Sequence, residues 1–285
     1  MSRWQVGDVR ITKVLESEFP ARAELMFPGA RQEQVDAIDW LAPHYVDARG
    51  RLRISVHALV VETPSRCIVV DTCVGNDKSG RDLPIWNGLQ SSFMADFAAA
   101  GFAPERVDVV LCTHLHPDHV GWNTRLVDGK WLPTFPNARY LIGARELEHW
   151  RSRSNLVEAA AIQADSLDPL FAAGLVDLIE PPHQVCPELT LVSTPGHTPG
   201  HVSVQIRSGD QEALITGDFM HHPCQFAHPE WAMVVDAEPE RAKSTRAELL
   251  GRCADNEVLV LGTHFVSPTG GRVVSTGAGR YRFQP

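Results

Sequence analysis

Nowhere in the 285 residues does an apolar run approach the roughly 20 residues that span a bilayer, so no membrane-crossing helix is expected. The opening Met1-Ser2-Arg3-Trp4-Gln5-Val6-Gly7-Asp8 lacks the apolar segment of a secretory leader. Basic clusters are missing too. Lys and Arg are scattered and the formal net charge is -9, which leaves no face for nucleic acid and makes anionic polymers poor substrates. The six cysteines (Cys67, Cys73, Cys112, Cys186, Cys224 and Cys253) form no C-x-x-C pair. In a chain without a leader they read as reduced, mostly buried thiols of a cytoplasmic protein.

What is present is concentrated in one stretch. Thr113-His114-Leu115-His116-Pro117-Asp118-His119 places four metal-ligating side chains within six residues. It follows the β-branched run 107–112, which predicts a buried strand, so the ligands sit on the loop at its C-terminal end. Imidazole and carboxylate donors suit zinc first, with iron, manganese and cobalt compatible, and the absence of cysteine among them argues against a closed structural zinc site.

Other strand ends repeat the pattern. Thr194-Pro195-Gly196-His197-Thr198-Pro199-Gly200-His201 fixes His197 between Pro-Gly turns. Gly217-Asp218 follows the strand 213–216, and Gly262-Thr263-His264 follows the strand 258–261. His201 opens the strand 202–207 and reads as packing or support for a ligand. Asp71, at the end of the hairpin 54–62 and 67–72, is either support for a ligand or a turn residue. His57 reads as a core histidine, and His149 is assigned no role. Further strands are expected at 9–15, 138–142, 176–180, 189–193, 272–275 and 281–283. Helices are expected at 89–100, 144–151, 154–173 and 238–253. Residues 20–50 are too aromatic for a disordered linker and read as an ordered excursion. Both halves run strands, helix, strand, ligand, which implies two sheets face to face, helices outside, and a site at one edge between them.

The HxHxDH loop, the later Pro-Gly-His, the Gly-Asp after a strand and the terminal Thr-His together resemble the metallo-β-lactamase-fold hydrolase superfamily, over nearly the whole chain. The resemblance implies an α+β fold, an αββα sandwich of two mixed β-sheets with helices outside, as a single domain across residues 1–285. It also implies two divalent cations. His114, His116 and His197 would hold the first, Asp118, His119 and His264 the second, and Asp218 would bridge them. Two cations about 3.5–4 Å apart acidify a shared water and polarise a carbonyl or phosphoryl oxygen, so no serine or cysteine nucleophile is needed. Asp118 could also orient that water and shuttle a proton.

Within the superfamily the chain looks most like the branch of quorum-quenching homoserine lactonases, dihydrocoumarin-type lactonases and methyl-parathion hydrolases. Common β-lactamases carry cysteine where Asp218 stands here. Homoserine lactonases carry a tyrosine three residues after the bridging Asp, where this chain has His221, which could serve as hydrogen-bond or proton donor. Loop position nominates Trp122, Phe219, His222 and Phe265 as pocket walls. The expected activity is metal-dependent opening of lactones or cleavage of carboxylic esters, with a small-molecule lactone or ester as partner. The alternatives are phosphotriester or β-lactam hydrolysis at the same site, or a non-hydrolytic metal or redox protein. Flavodiiron relatives of that last kind typically carry Glu at the position of His116. A homodimer would form through residues 20–50.

Overall fold

Alternation of apolar side chains along the strands decides the layering. Leu59 and Val61 point into one apolar cluster while Ala58 and Val60 point into another, so the strand Leu52–Glu62 is buried on both faces. The computed structural model describes residues 2–285 and places this strand in a seven-stranded mixed sheet. The sheet runs in chain order through Arg3–Val6, Val9–Ala21, Leu52–Glu62, Cys67–Val70, Val109–Leu111, Arg139–Gly143 and Val176–Ile179. Its first three pairings are antiparallel and its last three parallel. A second seven-stranded sheet runs through His183–Cys186, Leu189–Ser193, Val202–Ser208, Gln211–Ile215, Val258–Leu261, Gly270–Gly277 and Arg280–Gln284. It is antiparallel except where Gln211–Ile215 meets Val258–Leu261.

The two sheets share one inner core, in which Val9, Ile11, Val70, Val109 and Leu111 of the first meet Leu191, Val204, Ile206, Ile215 and Leu261 of the second. The outer face of the first sheet packs Phe93 and Phe97 of the helix Phe93–Ala99. The outer face of the second packs Leu249, Leu250 and Cys253 of the helix Pro239–Cys253. This is the expected αββα sandwich. Among the described residues no helix is long and apolar enough to cross a membrane.

The excursion 20–50 forms part of that outer layer. Phe27, Val35, Leu41 and Tyr45 are buried with Phe226, Trp231, Phe265 and Phe283, and the Tyr45 hydroxyl donates to the Pro268 carbonyl at 2.7 Å. Each such apolar side chain contributes about 1.5–3 kcal/mol on burial, so the segment holds the loops behind the site in place.

Several elements differ from expectation for identifiable reasons. The strand expected at 9–15 runs on to Ala21 through a register shift between Leu15 and Ser17, which turns Glu16 out of the ladder. The expected helix 89–100 starts only at Phe93, because Asn76 holds Ser91 through its backbone N–H and its hydroxyl. The helix expected at 154–173 divides into Val157–Ile162, a π turn Gln163–Leu167 and Asp168–Ala172; Pro169, lacking an N–H, suits the restart. A small hairpin, Thr124–Val127 with Lys130–Pro133, and the strands Arg3–Val6 and His183–Cys186 add to the expected set.

The loop after Val109–Leu111 is laced to the loop after Cys67–Val70. Thr72 N–H donates to the His119 carbonyl (2.7 Å), Gly121 N–H to that of Cys73 (2.7 Å) and Trp122 N–H to that of Thr72 (2.8 Å). The approach is so close that a Cβ on Gly121 would lie 1.7 Å from the Val74 carbonyl oxygen. Gly121→Ala is therefore expected to force the two loops apart, at about 3 kcal/mol, the upper end of the usual cost of overpacking. A urea melt checks this; a change below about 0.5 kcal/mol, the range of neutral surface substitutions, would contradict it.

Candidate metal centre

All seven ligand candidates bring a ring nitrogen or carboxylate oxygen to one edge of the sandwich, His264 from the end of Val258–Leu261. His114, His116, His197 and Asp218 form one cluster and Asp118, His119 and His264 an adjoining one; within each, the facing atoms lie within 4.8 Å of one another. Asp218 Oδ2 stands between them. It lies 3.1 Å from His264 Nε2, 3.2 Å from His221 Nε2, 3.4 Å from His119 Nε2, 3.5 Å from His197 Nε2 and 3.7 Å from His114 Nε2. Asp118 lies 3.7 Å from His119 Nε2 and 3.6 Å from His264 Nε2, and keeps some exposure together with His116.

Four of the five imidazoles are aimed by a partner at the outer nitrogen. Thr113 donates its hydroxyl and its backbone N–H to Asp71, so the hydroxyl oxygen accepts from His114 Nδ1 (3.0 Å). Asp71 also accepts from His119 Nδ1 (2.9 Å), Asp236 from His197 Nδ1 (2.8 Å) and the Ser55 carbonyl from His264 Nδ1 (3.0 Å). With the proton assigned by these partners to Nδ1, all four rings turn a bare Nε2 lone pair inward. His116 faces in through Nδ1 instead, 2.9 Å from His114 Nε2 and 2.8 Å from His197 Nε2.

Such a cluster cannot satisfy itself. Two lone pairs face one His116 nitrogen that can carry at most one proton, while His119 Nε2 and Asp218 Oδ1 are buried with no hydrogen-bond partner among the described residues. Burial and the neighbouring imidazoles hold His114, His116 and His197 well below the usual histidine range, so they present as neutral donors. Burial also opposes charge on His119 and His264, yet Asp218 and Asp118 override it and raise both. The two carboxylates thus favour positive charge at this spot. Convergent imidazole lone pairs plus carboxylates fit divalent cations.

His201 supports the same spot from outside. Its Nε2 accepts the Asp218 backbone N–H at 2.7 Å while its Nδ1 meets the Thr194 carbonyl at 2.9 Å. Asp71 takes the supporting place that its sequence position allowed. Asp236 takes another, and nothing in its segment, Met233-Val234-Val235-Asp236, distinguishes it from an ordinary loop acid.

His221 flanks the centre, its ring 4.7 Å from His197 and stacked on His264 at 5.8 Å. The four side chains nominated as pocket walls lie in the interior instead. Both ring nitrogens of His222 are engaged, with the Tyr45 carbonyl and the Cys224 N–H, leaving no atom for a substrate. Trp122 stacks on Phe93 and donates to Glu16 (2.7 Å), Phe219 is buried in the outer core, and Phe265 packs against Phe226 and Phe283. Loop position alone did not reveal which way these rings turn. His57 is buried, with Nδ1 2.9 Å from the Ser55 hydroxyl.

A model of the metallo-beta-lactamase superfamily matches residues 52–275, well over half of the chain. The chain belongs to that superfamily. Among curated relatives it is similar to an N-acyl homoserine lactonase of Bacillus cereus, 26% identical over an alignment of 170 residues that covers 55% of this chain and 60% of that protein. It is also similar to the N-acyl homoserine lactonase AttM of Rhizobium radiobacter, 31% identical over 123 residues, 41% of this chain and 42% of that one. The match thus spans less than two thirds of these relatives. Among solved structures, hydrolase AbOPH of the beta lactamase superfamily superposes with a TM-score of 0.82 at 27% identity, covering 99% of this chain and 96% of that one. AidC, a dizinc quorum-quenching lactonase in complex with a homoserine product, shares the fold with a TM-score of 0.81 at 20% identity, over 100% of this chain and 96% of its own.

Proposed function

We propose that this superfamily member is a metal-dependent hydrolase that opens lactones or cleaves carboxylic esters, with two divalent cations, zinc first, at the centre described. The observation that carries the reading is the ring of inward Nε2 lone pairs around Asp218 Oδ2, with Asp118 and His116 alone retaining access to solvent. His114, His116 and His197 would hold one cation, Asp118, His119 and His264 the other, and Asp218 both. Cations bound there supply Lewis-acid polarisation of the scissile carbonyl and an acidified water. The relatives named above, two of them homoserine lactonases, support the ester-type substrate.

The chain's own groups then move protons and exclude water. Water gives up one proton as its oxygen adds to the carbonyl carbon, and the carbon–oxygen ring bond breaks, leaving an alkoxide and a carboxylic acid that loses its own proton to solvent. Asp118, partly exposed beside His264, accepts the proton released by the adding water and returns it to the alkoxide. His221, buried beside Asp218 with its Nδ1 unpartnered among the described residues, would offer a ring N–H to the substrate carbonyl or leaving oxygen, from the sequence position where the resemblance puts a tyrosine. Thr113, Asp71, Asp236 and Ser55 keep the four rings in the tautomer that faces lone pairs inward.

The test is a turnover panel on zinc-supplemented protein, with dihydrocoumarin and an aryl carboxylic ester beside an N-acyl homoserine lactone, for the natural chain and His221→Phe. Turnover of the aryl lactone is expected, reduced about 100-fold in kcat by His221→Phe, the lower range for a lost proton donor. If neither lactones nor esters turn over, the substrate class is wrong. If His221→Phe matches the natural chain, histidine does not stand in for the tyrosine.

A further inference from the structure

We infer that Glu146 is a positioning residue that sets the spacing of the two loops carrying His116 and His197. The inference rests on the metal centre proposed above. Glu146 lies in the helix Ala144–Ser152, one turn before Trp150, and its carboxylate is buried. Oε1 accepts the backbone N–H of Leu115, between His114 and His116, at 3.1 Å. The same oxygen accepts the Trp150 indole N–H at 2.8 Å. Oε2 accepts the backbone N–H of Gly200, three residues past His197, at 3.2 Å. A single carboxylate thus joins the HxHxDH loop to the Pro-Gly-His loop.

Two further contacts tighten the junction. The indole that Glu146 fixes meets the His116 ring edge-on, with centroids 5.3 Å apart. Gly200 comes so near the helix that a Cβ there would sit 2.3 Å from the Glu146 backbone nitrogen. The helix start therefore acts as a spacer pressed between the loops. The other cluster is anchored elsewhere: His119 by Asp71 and His264 by Ser55. Loss of the Glu146 carboxylate should loosen His116 against His197 and leave Asp118, His119 and His264 in register.

That asymmetry makes the role measurable without turnover. Zinc is bound to the full chain, counted by elemental analysis and withdrawn with a chromophoric chelator, for the natural protein, Glu146→Ala and Glu146→Gln; the metal-free proteins are melted in parallel. Glu146→Ala should weaken one zinc by 10–100-fold, the usual effect of removing an outer-sphere partner, while the second keeps its affinity. The weakened zinc should be the one that His114→Ala also removes. Glu146→Gln keeps one acceptor oxygen but sets an amide N–H against a backbone N–H, so it should give a smaller loss at the same zinc, and it serves if the alanine variant does not fold. Equal loss of both zincs in step with the melting temperature would make Glu146 a fold residue only and overturn the inference. Unchanged affinities in both variants would overturn it as well. A natural chain that binds no zinc would instead bring down the metal centre itself.

Discussion

Asp218→Ala is expected to lower hydrolysis by about 10³-fold or more and to strip bound metal from the protein, with the fold retained. The expectation follows from the number of groups this carboxylate answers. Its Oδ2 lies between 3.1 and 3.7 Å from five imidazole nitrogens, those of His264, His221, His119, His197 and His114. Burial pushes the Asp218 carboxyl up, but the surrounding imidazoles, His264 and His119 foremost, hold it well below the usual carboxylate range, so it stays ionised. Alanine leaves those rings facing one another around a hole with no negative charge at its centre. Losing even one fixed electrostatic stabiliser costs about 10²–10³ in rate, and here the anchor of both clusters goes. Metal content and turnover, measured on the same preparation, check the expectation. Near-normal turnover with a full complement of metal would refute the role given to Asp218.

The second large effect is on stability. Arg246, in the helix Pro239–Cys253, is fully buried, and its guanidinium donates only to carbonyls of one loop. Nε reaches Phe219 at 2.8 Å, and Nη1 reaches Pro229 at 2.7 Å and Trp231 at 3.0 Å. The loop so pinned carries His221, whose backbone N–H is held in turn by Gln225. Burial pulls the guanidinium down to about 10 against the nearby Asp236 carboxylate, which supports its charge. Arg246→Ala orphans the buried carbonyls of Phe219 and Pro229 at about 1–3 kcal/mol each, leaves that of Trp231 with the Gln225 amide alone, and adds a cavity, so a loss of at least about 3 kcal/mol is expected. Arg246→Met refills the cavity but not the hydrogen bonds, so it should recover only part of that. Denaturant melts of the three proteins decide. A loss under about 1 kcal/mol in both variants would show that the loop does not depend on this arginine.

The contrast between neighbouring residues shows what was legible in the sequence and what was not. The HxHxDH loop could be read because three imidazoles and a carboxylate, all metal-ligating, follow a β-branched strand, a pattern that a solvated loop has no reason to produce. His197 was legible because Pro and Gly fix the backbone on both sides. Glu146 was not. It sits two residues from Glu148 in a helix of mixed charge, and chemically identical side chains end up buried and exposed. The tertiary approach of the Leu115 and Gly200 loops separates them. Glu16 is similar: a bulge turns it from the ladder toward Val74, Gly75, Ser91 and Trp122, whose four donors converge on its carboxylate.

His221 and His222 make the same point within the site. Adjacent in sequence, one faces Asp218 and the other donates to the Tyr45 carbonyl of the excursion. The excursion was recognisable as ordered from its aromatics, but its docking site was not, because the cluster that buries it is assembled from segments nearly 200 residues away. Periodicity reports that a side chain is buried and leaves open which partner buries it.

The measurement that bears most directly on the centre is metal counting coupled to lactone turnover on one preparation. The protein is purified with zinc, its metal counted by elemental analysis, stripped with a chelator and replenished, with dihydrocoumarin hydrolysis followed at each stage. Two equivalents per chain, activity lost on stripping and activity regained on replenishment are expected. Turnover that persists in the stripped protein, or two bound equivalents with no lactone or ester hydrolysis, would contradict the proposal.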